Sequence, residues 1–483
     1  MNDVLCGLAA NPALPPELVD RLVARAVAEP GPSEALVEDC AEELLDDLVR
    51  ALAGRADLGR AHVEALAARD EDTAVLLARD GHLTAADVDP AARPYAALAL
   101  LDEGRGLPAW ARLLAADPSP DIRWKLASCP GLPPDVVTAL AADPDVEVVS
   151  ELALWTTEPP EAARLARHPH PEVRRAAAAN PAAPAPAVSA LAEDPELSLT
   201  WVFAERTDLP QAVHARVAAD PRPGVRATLA RNPGIGPELI RVLAADPEED
   251  VRRSLAQHPR VPLAVLVGLA ATLRTWPALL PRIAAAPPSE LEELAASPHA
   301  AVRMLVAQRR DLPAHLRDAL AEDRDAAVVR AVAPHPGLSE DRLRSMVSLH
   351  GVQVLAAVAA NPDASGTLLE HLTRHRPPVR KVFKEVARHP NATGPALLAC
   401  LADRTARPLA AAHPALPAAT VTALLTDEDP RVAEEAAANP ALPRTVMAGL
   451  VPCRPAGPPG RLAGVTRQAP DRAPNRKGRP SPG

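Results

Sequence analysis

The sequence predicts an all-α protein, a solenoid of two-helix repeats of about 25–26 residues, on three observations. First, residues 220–245, DPRPGVRATLARNPGIGPELIRVLAA, and residues 246–271, DPEEDVRRSLAQHPRVPLAVLVGLAA, are nearly the same phrase written twice in succession. Second, a phrase of the form N/H-P-x-L-P returns along the chain. It falls at Asn11–Pro12, Cys129–Pro130, Asn180–Pro181, Asn232–Pro233, His258–Pro259, His335–Pro336, Asn361–Pro362, His389–Pro390, His413–Pro414 and Asn439–Pro440. Weaker copies near Ala56, Gly81, Arg105, Thr156, Thr207 and Arg310 fill the gaps, and from Ala56 onward the steps are 24 to 28 residues. A fixed period in that range marks a stack of supersecondary units. Third, the chain is 48% hydrophobic but only 2% aromatic, with 57 prolines. A core of Ala, Leu and Val without the large aromatic payload of a globule is thin, which suits a quasi-one-dimensional protein.

Each unit reads as two helical halves. In residues 246–271, Asp246–Pro247 opens the first half, Asp as a cap and Pro near the first turn. Val251, Leu255 and Ala256 then form one apolar face. Pro259 ends that helix and pushes His258 out of the α region. After the loop come Leu263, Leu266, Val267 and Ala270, a second face at i, i+3, i+4, i+7. Nothing alternates with period two, so no strand is predicted. The first helix is about two turns long and is not stable alone in water. Neighbouring units must hold it, and small Ala residues let helices approach to the short end of ~8–10 Å. Roughly seventeen units at ~10 Å would give a contour on the order of 170 Å.

The unit D-P-x-x-x-V-R-x-x-L-A-x-N-P-x-L-P-x-x-x-L-x-x-L-A resembles the leucine-rich repeat variant family, similar in shape to HEAT-like α-solenoids. Asp220 to Ala245 matches it almost position for position. The resemblance covers residues 111–450 well and 1–110 loosely. It implies alternating α and short α or 3-10 helices wound into a right-handed superhelix. A founding member of the family carries an iron–sulfur centre on an N-terminal cysteine cluster. Here Cys6 and Cys40 are isolated, so that cofactor is not carried over. The organisation expected is divergent N-terminal repeats or a cap at 1–110, a regular array at 111–450, and a disordered basic Pro/Gly/Arg tail at 451–483.

Charge narrows the function classes. The formal net charge is −10. Residues 452–483 hold Arg454, Arg461, Arg467, Arg472, Arg476, Lys477 and Arg479 against Asp471 alone, which leaves the rest strongly acidic. An acidic body disfavours general phosphate-backbone binding. Five cysteines (Cys6, Cys40, Cys129, Cys400 and Cys453) form no C-x-x-C pair, which suits a reducing compartment. Cys40 sits in an apolar stripe and reads as buried filler. The N-terminus is not a signal peptide, and no apolar run is long enough to span a membrane. A cytoplasmic protein is expected, and the Arg-over-Lys bias with Ala richness points to a bacterial source.

Several registers are candidates for more than packing. An Arg follows the repeat Val at Arg123, Arg174, Arg226, Arg252, Arg303 and Arg380. Six residues before the first five stand Asp117, His168, Asp220, Asp246 and Ser297. These form either an Asp–Arg structural ladder or a basic stripe for an anionic ligand. Val149 and Thr200 interrupt the row. The Asn and His before Pro tempt a metal reading, but ligands of one zinc lie ~2.0–2.3 Å from the ion, and equivalent residues of adjacent units lie ~10 Å apart. Helix termination explains them without a metal. Trp124 and Trp201 share one register and are either partner anchors or lids over the next unit. Residues 374–388, RHRPPVRKVFKEVAR, gather Arg374, Arg376, Arg380, Lys381, Lys384 and Arg388 against Glu385, with Phe383 among them. That is either a patch for an acidic or phosphate-bearing partner or a solvated helix face.

No H-E-x-x-H, G-x-S-x-G or G-x-x-x-x-G-K-[ST] occurs, and Gly234-x-Gly236 lacks the strand context of a dinucleotide fingerprint. The expectation is therefore a non-enzymatic scaffold without cofactor, metal or small-molecule substrate. It would present an extended curved surface to an unidentified protein partner. The alternative is a HEAT-like nucleic-acid-binding protein using the 374–388 patch and the basic tail.

Overall fold

The computed structural model describes residues 2–28, 38–194, 196–273 and 278–451. The basic tail and the side chain of Cys40 lie outside the described residues. Among the described residues there are thirty-three α-helices and no strand, so no sheet carries the core. No described helix is long and apolar enough to cross a membrane.

The helices come in pairs for the reasons the sequence gives. Helix Pro223–Arg231 starts on Pro223 in the first turn and buries Val225, Leu229 and Ala230. It stops at Asn232, whose backbone is extended ahead of Pro233. Helix Pro237–Ala244 again begins on proline and buries Ile240 and Leu243. The helix pairs share one continuous ribbon of buried Ala, Val and Leu. Such short helices gain their stability from the neighbours that cover both flanks.

The residue that ends each first helix also spans to the unit before it. Asn232 Nδ2 donates to the carbonyls of Ala204 and Arg206, both at 2.8 Å, while its Oδ1 accepts the Gly234 N–H at 2.7 Å. Asn180, Asn361 and Asn439 do the same. At His258, Nε2 bonds the Asn232 carbonyl at 3.0 Å and Nδ1 accepts from Arg260 N–H. His335, His389 and His413 each reach one carbonyl of the preceding unit. Arginines stand in the same register at Arg55, Arg206 and Arg309, each bonded to two or three such carbonyls. All but the half-buried Arg309 are buried polar side chains, and each satisfies carbonyls orphaned at a helix end.

The row of rungs does not stop at the termini. Asn11 Nδ2 donates to the carbonyls of Ala437 and Asn439, both at 2.8 Å. Arg55 in turn bonds the carbonyls of Ala9 and Asn11. Helix Asn2–Ala10 therefore lies between Pro430–Ala438 on one flank and Glu38–Ala53 on the other, as any internal first helix lies between its neighbours. The first and last units are adjacent, and the array is a closed ring rather than an open rod. A terminal cap is not needed, because each end covers the other.

At this seam the backbones come unusually close. A Cβ on Gly7 would sit 2.0 Å from the Glu434 carbonyl oxygen, so only glycine fits without movement. Successive first helices pack more densely on one another than successive second helices do. On a closed ring the shorter circumference is the inner one, which puts the first helices on the inside. About seventeen units at ~9 Å give a ring ~50 Å across between opposing inner axes, and subtracting side-chain-bearing helix radii leaves an opening of ~35–40 Å.

Candidate functional site: the inner wall

The inner wall is built from the positions that each first helix leaves uncovered. Relative to the repeat Val, these are one residue before, two after and six after, a single face at i, i+3 and i+7. Counting back from the rung residue places Lys381, Lys384 and Arg388 on that face of helix Arg380–Arg388, with all three exposed. The opposite face of the same helix buries Val382, Phe383, Val386 and Ala387. Phe383, an aromatic the sequence placed among the basic residues, is therefore core at 8% exposure.

What sets this helix apart is that three exposed cations share one face without counter-charge. Three other basic residues of the wall have an acid one turn back, while Arg231 and Arg330 stand there singly, without an ion pair among the described residues. Arg175 pairs with Glu172 at 2.6 Å, Arg50 with Asp47 at 2.6 Å, and Arg253 with Asp250 and Glu249. In helix Arg380–Arg388 the residue three before Lys384 is Lys381, so no such pair forms. Among the described residues, Lys381, Lys384 and Arg388 make no ion pair. The other three basic residues of the segment sit apart from this face. Arg374 pairs with Glu370 at 3.2 Å, Arg376 bonds the carbonyls of Arg374 and His375, and Arg380 stands 3.9 Å from Asp403.

The register of Trp124 and Trp201 is the register of Lys384, on the same wall. Trp124 is 38% and Trp201 46% exposed. Trp201 leans onto the next unit, where a Cβ on Gly224 would meet its ring at 3.0 Å. Beside Trp124, the Lys125 ammonium lies 4.5 Å from the Tyr95 ring centroid, and Tyr95 Oη donates to Asp121. Tyr95 was not singled out from the sequence. Its cue was the rarity of aromatics in the chain.

The arginine ladder holds unit to unit, with a partner other than the one the spacing implied. Arg226 donates through Nη1 to the carbonyl of Asp220, the residue six before it. Its carboxylate partner is Asp246 of the following unit, with Nε–Oδ2 2.7 Å and Nη2–Oδ1 3.0 Å. Arg123 with Asp117 and Asp143, Arg174 with His168 and Asp194, and Arg303 with Ser297 and Asp323 repeat this geometry. Arg252 bonds only the Asp246 and Pro247 carbonyls, since the next unit offers Thr272 where the acid would be. Arg380 is out of register, because the enlarged loop before it shifts the row and puts Phe383 at the ladder position. Arg407, paired with Asp427, is a rung that the sequence reading missed. Asp427, three residues before Pro430 and twenty after Arg407, was the available cue.

Charge and burial follow from these bonds. The Arg226 guanidinium holds the Asp246 carboxyl below its ordinary range, and Arg174 does the same to Asp194. Burial pushes the thiols of Cys6 to about 11 and of Cys129 and Cys400 to about 12, which keeps them protonated and unreactive. His258, His389 and His413 spend both ring nitrogens on backbone groups. Among the described residues, His335 spends Nε2 on the Ala307 carbonyl and leaves Nδ1 buried without a partner, and no three His, Cys, Asp or Glu side chains converge on one point that could hold a metal. No protein-family model matches the chain, and no curated protein sequence matches it.

Proposed function

We propose that the ring is a non-enzymatic scaffold that holds an acidic segment of a protein partner against its inner wall. Lys381, Lys384 and Arg388 are the anionic contact, and Trp124 and Trp201 are apolar contacts elsewhere on the same wall. The observation that carries this reading is the face of helix Arg380–Arg388, where three exposed cations stand together without an ion pair among the described residues. Exposed unpaired cations and half-buried tryptophans are what a partner anchors on, while paired surface charges add little. As part of the same proposal, the units belong with the leucine-rich repeat variant type, with a 25–26-residue period and a right-handed sense.

The test is capture of partners from the native cell by wild type and by the Lys381→Glu/Lys384→Glu variant. Loss of an acidic protein partner on charge reversal, with unchanged helicity, supports the scaffold. A partner set that survives the reversal defeats it. Recovery of nucleic acid instead, lost between 50 and 200 mM salt as backbone binding requires, would replace it with the nucleic-acid reading, since the opening of ~35–40 Å exceeds a duplex.

A further inference from the structure

Of the steps of the ladder that lack an arginine, one opens a groove. At the ladder position of residues 143–167 stands Val149, and the following unit opens with His168 where other units place Asp. A groove of about 590 Å³ lies there, lined by Asp143, Pro144, Val149, His168, Pro169 and His170 among others. It faces solvent past Pro144, Pro169 and His170, all exposed. At the preceding step the corresponding space holds the Arg123 guanidinium, bonded to the Asp117 and Pro118 carbonyls at 2.8 and 3.2 Å. At the following step it holds that of Arg174, bonded to the His168 and Pro169 carbonyls at 2.9 and 2.8 Å. Val149 has no donor to offer the equivalent carbonyls of Asp143 and Pro144.

We infer that this groove is a binding site for a guanidinium group, the side chain of an arginine presented by a bound peptide. The molecule supplies the precedent for each requirement. A guanidinium is the group that the same carbonyl pair accepts in neighbouring units, and its planar fork matches two adjacent oxygens. A following carboxylate is not required, because Arg252 is held by the Asp246 and Pro247 carbonyls alone. The Asp145 side chain caps the first turn of helix Val146–Trp155 through the Glu147 N–H, where it offsets the positive helix end against an incoming cation, while that of Asp143 is already paired with Arg123. His168 accepts the His170 N–H on Nδ1, and burial together with the charges of Arg164 and His170 depresses its pKa, so it adds no positive charge near neutrality. A lysine ammonium carries its charge at a point and does not span two carbonyls, so the site discriminates between the two cations. The inference is independent of the basic face, which lies on another unit and takes the opposite charge.

The experiment measures binding of N-acetyl-arginine amide, N-acetyl-lysine amide and N-acetyl-citrulline amide to the full chain by saturation-transfer NMR and calorimetry. Wild type is expected to prefer the arginine amide by about tenfold over both others, the worth of one charge-assisted hydrogen bond. Val149→Arg fills the groove from within and should abolish that binding while raising Tm. Val149→Met fills it without charge and should weaken binding, which keeps the test open if the first variant misfolds. The converse variant Arg252→Val should lose stability and regain part of it in the arginine amide but not the lysine amide. Equal binding of arginine and lysine amides, or binding that survives Val149→Arg, overturns the inference.

Discussion

At the scale of one residue, the rung explains why Asn, His and Arg recur ahead of the loop proline. Helix termination accounts for the proline and says nothing about the side chain before it. The shared property is an N–H that can reach a carbonyl about 26 residues earlier, as from Asn232 to Arg206 or His258 to Asn232. That property was visible in the sequence as a register admitting amide and imidazole, while the arginines Arg55, Arg206 and Arg309 that share it were not singled out. The acceptor was not visible, because a carbonyl belongs to every residue. Histidine's Nε2–H meets this demand in either charge state, but burial favours the neutral ring. Burial depresses the pKa of His258 and His335 below the ordinary 6.5. Protonation of His258 would also cost Nδ1 its bond from Arg260 N–H. Their contribution is whole above pH ~6.5 and falls as pH drops below that value, since the unfolded chain then binds more protons. The double variant His258→Asn/His335→Asn should lose less stability than wild type between pH 7.5 and 5.5. The expected difference is a few °C in thermal melts followed by circular dichroism.

At the scale of the element, helix pairs and their stops were legible, because Asn-Pro and His-Pro are local signals, but the starts were placed early. Asp246–Pro247 precede a helix that begins at Glu249 with Glu248 as its N-cap, and Asp246 instead accepts the Glu248 N–H. Helix Pro223–Arg231 and helix Pro237–Ala244 lie where the 220–245 pattern puts them. The arginine ladder was legible as a recurring Arg but not in its partner, since sequence distance favoured the acid six residues back over the one twenty ahead. Two tests separate the two kinds of tie. Asn232→Ala leaves the Ala204 and Arg206 carbonyls and the Gly234 N–H without their partner, and should cost about 3 kcal/mol by the price of buried unmade bonds. It should do so at any salt concentration, measured by urea unfolding. Arg226→Met removes the ion pair with Asp246 and keeps the apolar stem. Its destabilisation should shrink as pH falls through the carboxylate range, where Asp246 takes up its proton in both states.

At the scale of the whole molecule, closure was the part the sequence hid. A period states how one unit follows another but not how the small rotations between units accumulate. Seventeen-odd steps close a circle only if each turns by about 21°, a quantity set by packing. The first units resemble the repeat only loosely, which suggested divergent repeats or a cap at 1–110, and Asn11 already stood in the rung register. Gly7 was the local trace of closure, a glycine inside an apolar helix where other units place larger residues. Gly7→Leu should force the Glu434 backbone away and open the ring. The expected signs are a larger radius of gyration in X-ray scattering with helicity unchanged, and head-to-tail association at high concentration, because each freed end is the template for the other. Gly268→Leu, where a Cβ meets nothing within 4 Å, should leave the radius as it was.

The bonds from Asn11 to Ala437 and Asn439 carry one more consequence. If the last segment grips the first as 232 grips 206, then the point at which the ribosome begins is arbitrary to the architecture. A gene rearranged to start at Asp246 and end at Ala245, with residues 451 and 2 spliced by a short flexible tether, should yield the same particle with the same melting profile. Translation order would then be a historical accident that the finished object does not remember.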